Sequence, residues 1–316
     1  MSKDLSYILP SVELALLEKE LNKDRFVRFT SKLNNEIYIV NQHNSPNVIK
    51  EIGRLRELTF ATAGGGTGNP IDIDEYDTNE NCYQQLIVWA PDTKEIVGGY
   101  RFIDCKTAIK NDKIDLSTRH YFEFSDKFIK NYLPKTIELG RSWVQPKYQP
   151  TNSRRGLFSL DNLWDGLGAI VVNNPQIEYF FGKVTMYENY DVVAKKAVLA
   201  FMNAMFPDNE NLVTPIHPVY TDIDQSEILK LITLPKGTTP QEKQNEFKTA
   251  LKVLQQFVRE RGEKIPPLIN NYMQLSPSMK SFGTALNPDF GGVEETGILV
   301  KIPDIYDEKK ERHLNY

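Results

Sequence analysis

The stretch Lys135–Tyr148, KTIELGRSWVQPKY, constrains this chain more than any other. Ile137, Leu139, Trp143 and Val144 favour a strand, and the run stops at Pro146, which has no N–H to give to a ladder. Glu138 and Arg141 interrupt it three residues apart, so in a regular strand they face opposite sides of a sheet. They share a site only if the strand carries one extra residue. Gly140, between them, marks the place for a bulge, which re-aims side chains and opens the ladder. The spacing therefore predicts a splayed strand that turns a carboxylate and a guanidinium toward one cleft. The alternative is an ordinary edge strand with two surface charges.

A chain of 316 residues can bury a full core. Lys and Arg number 38 against 42 Asp and Glu, a net charge of −4, so no global basic field recruits nucleic acid. An anionic partner must be met by a local patch. Two cysteines, Cys82 and Cys105, make no disulfide framework and fit a reducing compartment. The sequence shows no apolar run of bilayer-spanning length and no N-terminal signal pattern, so the expectation is a cytoplasmic protein with at most peripheral contact at the inner face of the membrane.

Apolar periodicity predicts helices over 10–21, 47–61, 125–132, 157–173, 190–206 and 241–262, with a short one at 266–272. Strands are expected at 26–29 and 36–40, at 83–89 and 95–102 around Pro91-Asp92-Thr93-Lys94, at 136–144, at 178–186, and late at 279–286 and 295–301. This order implies a mixed α/β (α+β) fold: a mainly antiparallel central sheet with a bulged strand at 136–144 and helices on both faces. The glycine run Gly64-Gly65-Gly66-Thr67-Gly68 follows a helix and precedes the acidic segment IDIDEYD, the reverse of a phosphate loop, and reads as a mobile flap.

Joined to these residues, the element order resembles the GNAT superfamily of N-acyltransferases. The branch it is most similar to comprises acyl-carrier-protein-dependent amino-acid N-acyltransferases, makers of lyso-ornithine lipid and N-acylglycine, with acyl-homoserine-lactone synthases more distant. The matching stretches are LRELTF, IDIDEYD, VGGYRF, ELGRSWVQPKY, LWDGLGAIVV, FGKVTMYENY, PPLINNYMQL and LNPDFG. The usual Arg/Gln-x-x-Gly-x-Gly/Ala pyrophosphate loop is replaced by Arg154-Arg155-Gly156-Leu157-Phe158-Ser159, which leaves room for a carrier-protein thioester in place of coenzyme A. The resemblance implies one domain over 1–316, with an acyltransferase core at about 25–206, an extension at 207–262 and sheet-completing strands within 266–303. It also implies transfer of a fatty acyl group, 3-hydroxyacyl included, to a small amino acid. No tightly bound cofactor is expected, and acyl carrier protein is the expected partner.

An amine attacking a thioester needs a proton acceptor, oxyanion donors and a slot for the pantetheine arm. Glu138 is the candidate base, acting through a water, with Arg141 beside it; a backbone N–H near Trp143 or Val144 would meet the oxyanion, and Tyr190 stands where the resemblance implies a proton donor for the departing thiolate, with a capping or packing tyrosine as the alternative. Arg56, Arg101 and Arg141, set against Asp72, Asp74 and Asp77, form the acceptor constellation, since a guanidinium binds a carboxylate at two points and the acidic segment can receive the ammonium. Phe60 and Trp143 are its apolar neighbours. The alternative is a structural ion-pair network that touches no substrate. Val144, Lys147, Arg154, Arg155 and Gly156 are expected at the donor entry, where basic side chains suit coenzyme A phosphates or an acidic carrier. Four scattered histidines show no metal spacing, and no G-x-S-x-G elbow occurs. His217 and Asp222 match the His-x4-Asp spacing of glycerolipid O-acyltransferases by coincidence, in a Pro-rich loop without that family's other motifs. Remaining alternatives are a homoserine-lactone-type signal synthase and a non-catalytic module that binds acyl carriers or lipid.

Overall fold

Hairpins and helix-bridged returns place eight strands side by side in the computed structural model, which describes residues 4–111, 113–150, 152, 155–219 and 230–314. The strands are β1 (Phe26–Phe29), β2 (Glu36–Val40), β3 (Gln84–Ala90), β4 (Glu95–Asp104), β8 (Thr136–Val144), β9 (Tyr179–Met186), β11 (Lys280–Asn287) and β12 (Val293–Lys301). Their order is β1-β2-β3-β4-β8-β9-β12-β11. Within it β8 and β9 pair in parallel and the other neighbours are antiparallel. Two small ribbons stand outside this sheet: β5 (Ile109–Lys110) with β6 (Lys113–Ile114), and β7 (Phe122–Phe124) with β10 (Val213–Pro215). The second ribbon draws part of the Pro-rich stretch after 207 into the fold, where sequence periodicity is too weak to show it.

Helices cover both faces, which is why the central strands are apolar on both sides. One face carries α5 (Ser159–Asn173), α6 (Val192–Met205), α7 (Pro240–Arg259) and α8 (Pro267–Met273) over Leu86, Val88, Leu139, Phe180 and Ile298. Helix α7 begins with a Thr239/Glu242 capping box and buries Phe247, Leu251, Leu254 and Val258, a helical stripe that packs on Phe201 and Phe206. On the other face, α2 (Pro46–Ala63) presents Val48, Ile52 and Leu55 to Ile87, Trp89 and Trp143, and a second cluster gathers Phe122, Phe128 and Phe181. Helix α2 is ended by Gly64 in the left-handed region at φ 108°. Helix α1 (Leu14–Glu20) is shorter than its sequence pattern, because Val12 is tied to Glu51 by its backbone N–H and no cap forms at Ser11. The remaining helices are α3 (Glu75–Thr78), α4 (Asp126–Asn131) and α9 (Asp307–His313).

The site depends on an irregularity in β8. Opposite β4, Val144 pairs with Gly98, Trp143 with Gly99 and Gly140 with Arg101, so Arg141 and Ser142 together face Tyr100 alone. This is the bulge expected near Gly140, but the left-handed residue is Arg141 itself, at φ 46°. A side chain there costs about 1–2 kcal/mol, which the contacts of the arginine must offset. The extra residue puts Trp143 on the same face as Glu138, as pairing with Gly99 and Ile103 requires. Parallel pairing of β8 with β9 runs from Thr136–Tyr179 to Leu139–Gly182 and then ends.

A Cβ at Gly98 would intrude on the Trp143 carbonyl oxygen, a backbone atom that cannot rotate away. Gly98→Ala is therefore expected to destabilise the fold by about 1–3 kcal/mol, read as a lower urea midpoint at unchanged slope; an unchanged midpoint would show that β4 and β8 are not held this closely.

Candidate active site

Where β8 and β9 part, a narrow cleft opens in the sheet. Toward the helices it is lined by Leu139, Phe180, Leu268 and the rings of Tyr100 and Tyr272; toward the opposite face it is lined by Arg141 and Lys183. Beyond Leu139 the β8 backbone has no partner strand on its β9 side. Burial pushes both phenols up, that of Tyr272 well above its ordinary range with Tyr100 adding to the effect, and the Tyr100 hydroxyl lies beside Ser142 and Tyr272. A small apolar pocket under α5 and α9 shares the Phe180 wall.

The three arginines and three aspartates interlock. Arg56 meets Asp72 through Nε at 3.0 Å and Asp77 through both terminal nitrogens at 3.0 and 3.1 Å. Arg101 reaches Asp74 at 2.7 Å and Asp77 at 3.3 Å, and Arg141 reaches Asp72 at 2.9 Å through Nε. Asp74 and Asp77 also close a capping box on α3, so one short helix orients both carboxylates. Burial raises the carboxyls of Asp72 and Asp77, but their arginines outweigh it and hold both below the usual range. Exposure divides the network. Arg56, Asp72 and Asp77 are enclosed, whereas Asp74 and Arg141 retain 29% and 16% of their side-chain surface at the opening. Arg141 lies 4.6 Å over the Phe290 ring, which meets Phe60 edge-on at 5.2 Å. Trp143 is buried against α2.

Glu138 shares the face of Arg141, but it does not open on the cleft as the spacing predicts. It is fully buried and accepts hydrogen bonds from Tyr83 at 2.8 Å, Ser117 at 2.7 Å and Thr118 at 2.5 Å. A carboxylate buried without a cation needs such donors, and the turn Ser117–His120 supplies two of them from a segment without periodicity. Tyr83 in turn lies under the Arg101 guanidinium, 5.1 Å from ring centroid to carbon, so Glu138 is linked to the opening through Tyr83, Arg101 and Asp74.

The donor-side expectations fare unevenly. The Tyr190 hydroxyl donates to the Lys264 carbonyl at 3.0 Å and does not line the cleft; the phenols that do, Tyr100 and Tyr272, lie within VGGYRF and PPLINNYMQL. Lys147 pairs with Glu95 at 2.7 Å and Arg155 with Asp92 at 3.3 Å, both partly exposed. Gly156 is pressed against the backbone of Tyr148 and Gln149, and the Val144 carbonyl accepts from Gln149 at 3.0 Å. Arg154 and Asp222 lie outside the described residues. The glycine run is fastened where a mobile flap was expected: Glu57 accepts from the N–H groups of Thr67 at 2.8 Å and Gly68 at 2.9 Å. Lys183 and its partner Glu295 were missed. A lysine in FGKVTMYENY and an acid inside the late apolar strand were their signals.

A mixed sheet whose parallel pair splays beside a bulged strand, with basic groups on one side of the gap and an apolar slot on the other, defines an N-acyltransferase of the GNAT type. The family model described as an acetyltransferase (GNAT) domain matches residues 55–159. A protein of Bacteroides thetaiotaomicron named glycine N(alpha)-acyltransferase is 50% identical over 311 residues, 97% of this chain and 89% of its own length. Its namesake from Phocaeicola vulgatus is 47% identical over 310 residues, 97% of this chain and 92% of its own. The chain thus belongs to the GNAT superfamily of N-acyltransferases and is an acyltransferase enzyme. No solved structure matches it.

Removing Arg56 leaves buried Asp72 and Asp77 with one cation each, Arg141 and Arg101, and breaks three charged hydrogen bonds, so Arg56→Met is expected to cost about 3–5 kcal/mol at neutral pH by urea unfolding. Because Asp72 and Asp77 have depressed carboxyls in the folded state, their stabilisation exists above the unfolded value near pH ~3.9 and is lost as pH falls through the folded values. The gap between wild type and variant should narrow on acidification below about pH 4; a gap that widens would contradict the assignment.

Proposed function

We propose that the enzyme transfers a fatty acyl group, 3-hydroxyacyl included, from a pantetheine thioester to the amine of glycine or a similarly small amino acid, forming an N-acyl amino acid or lyso-aminolipid. The observation that carries this reading is the two-sided cleft, with an apolar slot of pantetheine and acyl character meeting cationic side chains in a gap between strands. The names of the two relatives support glycine as acceptor.

In this mechanism the acceptor ammonium gives one proton to solvent at the opening, the freed amine attacks the thioester carbonyl carbon, the C–N bond forms as the nitrogen sheds its second proton toward the departing sulfur, and the oxyanion is met by N–H groups of the unpaired β8 edge. Collapse breaks the C–S bond, and the thiolate takes a proton; the buried Tyr100 and Tyr272 phenols stand nearest that face of the gap. Arg141 faces the acceptor carboxylate and Asp74 its ammonium, the two members of the network that reach the opening. Glu138 is a positioning residue, acting through Tyr83 and Arg101. The exposed Lys147–Glu95 pair is worth only about 0–1 kcal/mol, so Lys147 can exchange its partner for an acidic carrier protein or coenzyme A phosphates. No described helix is long and apolar enough to cross a membrane. A cytoplasmic enzyme with peripheral membrane contact suits an amphiphilic product.

The purified enzyme, given an acyl carrier thioester and glycine, is expected to release free thiol and a product of the N-acylglycine mass. Carrier binding with no thiol release from any acyl donor and amine would favour a binding module, and an acyl-homoserine lactone formed from S-adenosylmethionine would favour a signal synthase. Glu138→Gln should lower kcat about 10²-fold, the scale of a displaced reacting group, with Tyr83→Phe lowering it less; equal activity in all three proteins would remove Glu138 from the mechanism.

A further inference from the structure

Lys183 is the first β9 residue beyond the last β8–β9 pair, as Gly140 and then Arg141 are on β8. The two cations therefore stand on opposite banks of the cleft and both line it. Lys183 alternates with Phe181 and Thr185, which puts it on the face of Glu138, Arg101 and Trp143, away from the apolar slot. Each cation is braced from behind. Arg141 uses Nε for Asp72 and rests on Phe290; Lys183 pairs with Glu295 and has the Tyr121 ring at 4.9 Å.

Each also keeps unused donors. Among the described residues, the hydrogen bonds of Arg141 side-chain nitrogens are confined to Nε, with Nη2 3.6 Å from Asp74, and Lys183 spends one N–H on Glu295. Glu295 is fully buried and is also held by Thr185 at 2.8 Å and Asn287 at 3.0 Å, so it fixes the ammonium without reaching the cleft. Burial lowers the Lys183 ammonium from its ordinary range; Glu295 opposes this, Arg141 adds to it, and the net shift is downward. The cation is thus under-compensated, a deficit that an arriving carboxylate corrects.

We propose that Lys183 and Arg141 together bind the α-carboxylate of the acceptor, making Lys183 a specificity-determining residue and Glu295 the residue that positions it. This rests on the amino-acid acceptor reading above. Two cations spaced across a gap hold both oxygens of a carboxylate and aim the adjoining amine into the opening.

The test compares glycine with glycinamide, which lacks the carboxylate charge, as acceptors for wild type, Lys183→Met and the double variant Lys183→Met/Glu295→Gln. The double variant leaves no stranded buried carboxylate, so it reads the same quantity where the single variant fails to fold. Wild type should prefer glycine in kcat/KM by about 10- to 100-fold, the scale of a charged hydrogen bond. In the variants the ratio should fall toward one, with the loss in KM for glycine more than in kcat. Equal losses with both acceptors, or an unchanged KM for glycine, would overturn the assignment. Wild type that releases no thiol with either amine would overturn the acceptor reading on which it rests.

Discussion

Two residues of β8, Arg141 and Ser142, occupy the space opposite Tyr100 of β4, and the rest of the site follows from that offset. It lets Glu138, Gly140 and Trp143 share one face. It also coincides with the end of β8–β9 pairing, so the sheet opens where a charged side chain is turned outward. The left-handed backbone at Arg141 is unfavourable in isolation; the Asp72 pair and the Phe290 ring are what the arginine gains in return. Fold and site are coupled through this one residue.

Charge burial divides the site into an interior that holds shape and an edge that reaches the cleft. Arg56 with Asp72 and Asp77 is sealed, and a sealed network of this kind contributes geometry more than net stability. Arg141, Asp74 and Lys183 stand at its margin, each with a buried partner behind it. The sealed ions and those at the opening are therefore one arrangement, with the interior ions setting the direction of those that reach the cleft.

Much of this was legible from the residues. The apolar periods located the main helices and strands, since a two-faced sheet under amphipathic helices imposes those periods locally. Gly140 beside Glu138 and Arg141 pointed to the bulge, because only an inserted residue reconciles an odd spacing with one face. The hidden parts were those made by distant partners. Nothing near Glu138 in sequence announces Tyr83, Ser117 and Thr118 as its donors, and nothing near Lys183 announces Glu295, 112 positions away. Tyr190 stands two residues before α6, outside the helix the pattern starts at it, and the neighbouring addition before α8 claims its hydroxyl through the Lys264 carbonyl.

The amino-acid sequence by itself determined the alternation of elements, the irregular strand and the supply of arginines and aspartates, because propensity, period and side-chain chemistry are local properties. Which carboxylates are enclosed and which cations keep free donors was decided only by the tertiary structure. Burial and ion pairing depend on what the chain brings together from far apart, and a shift of one residue in β8 would redistribute every charge in the cleft.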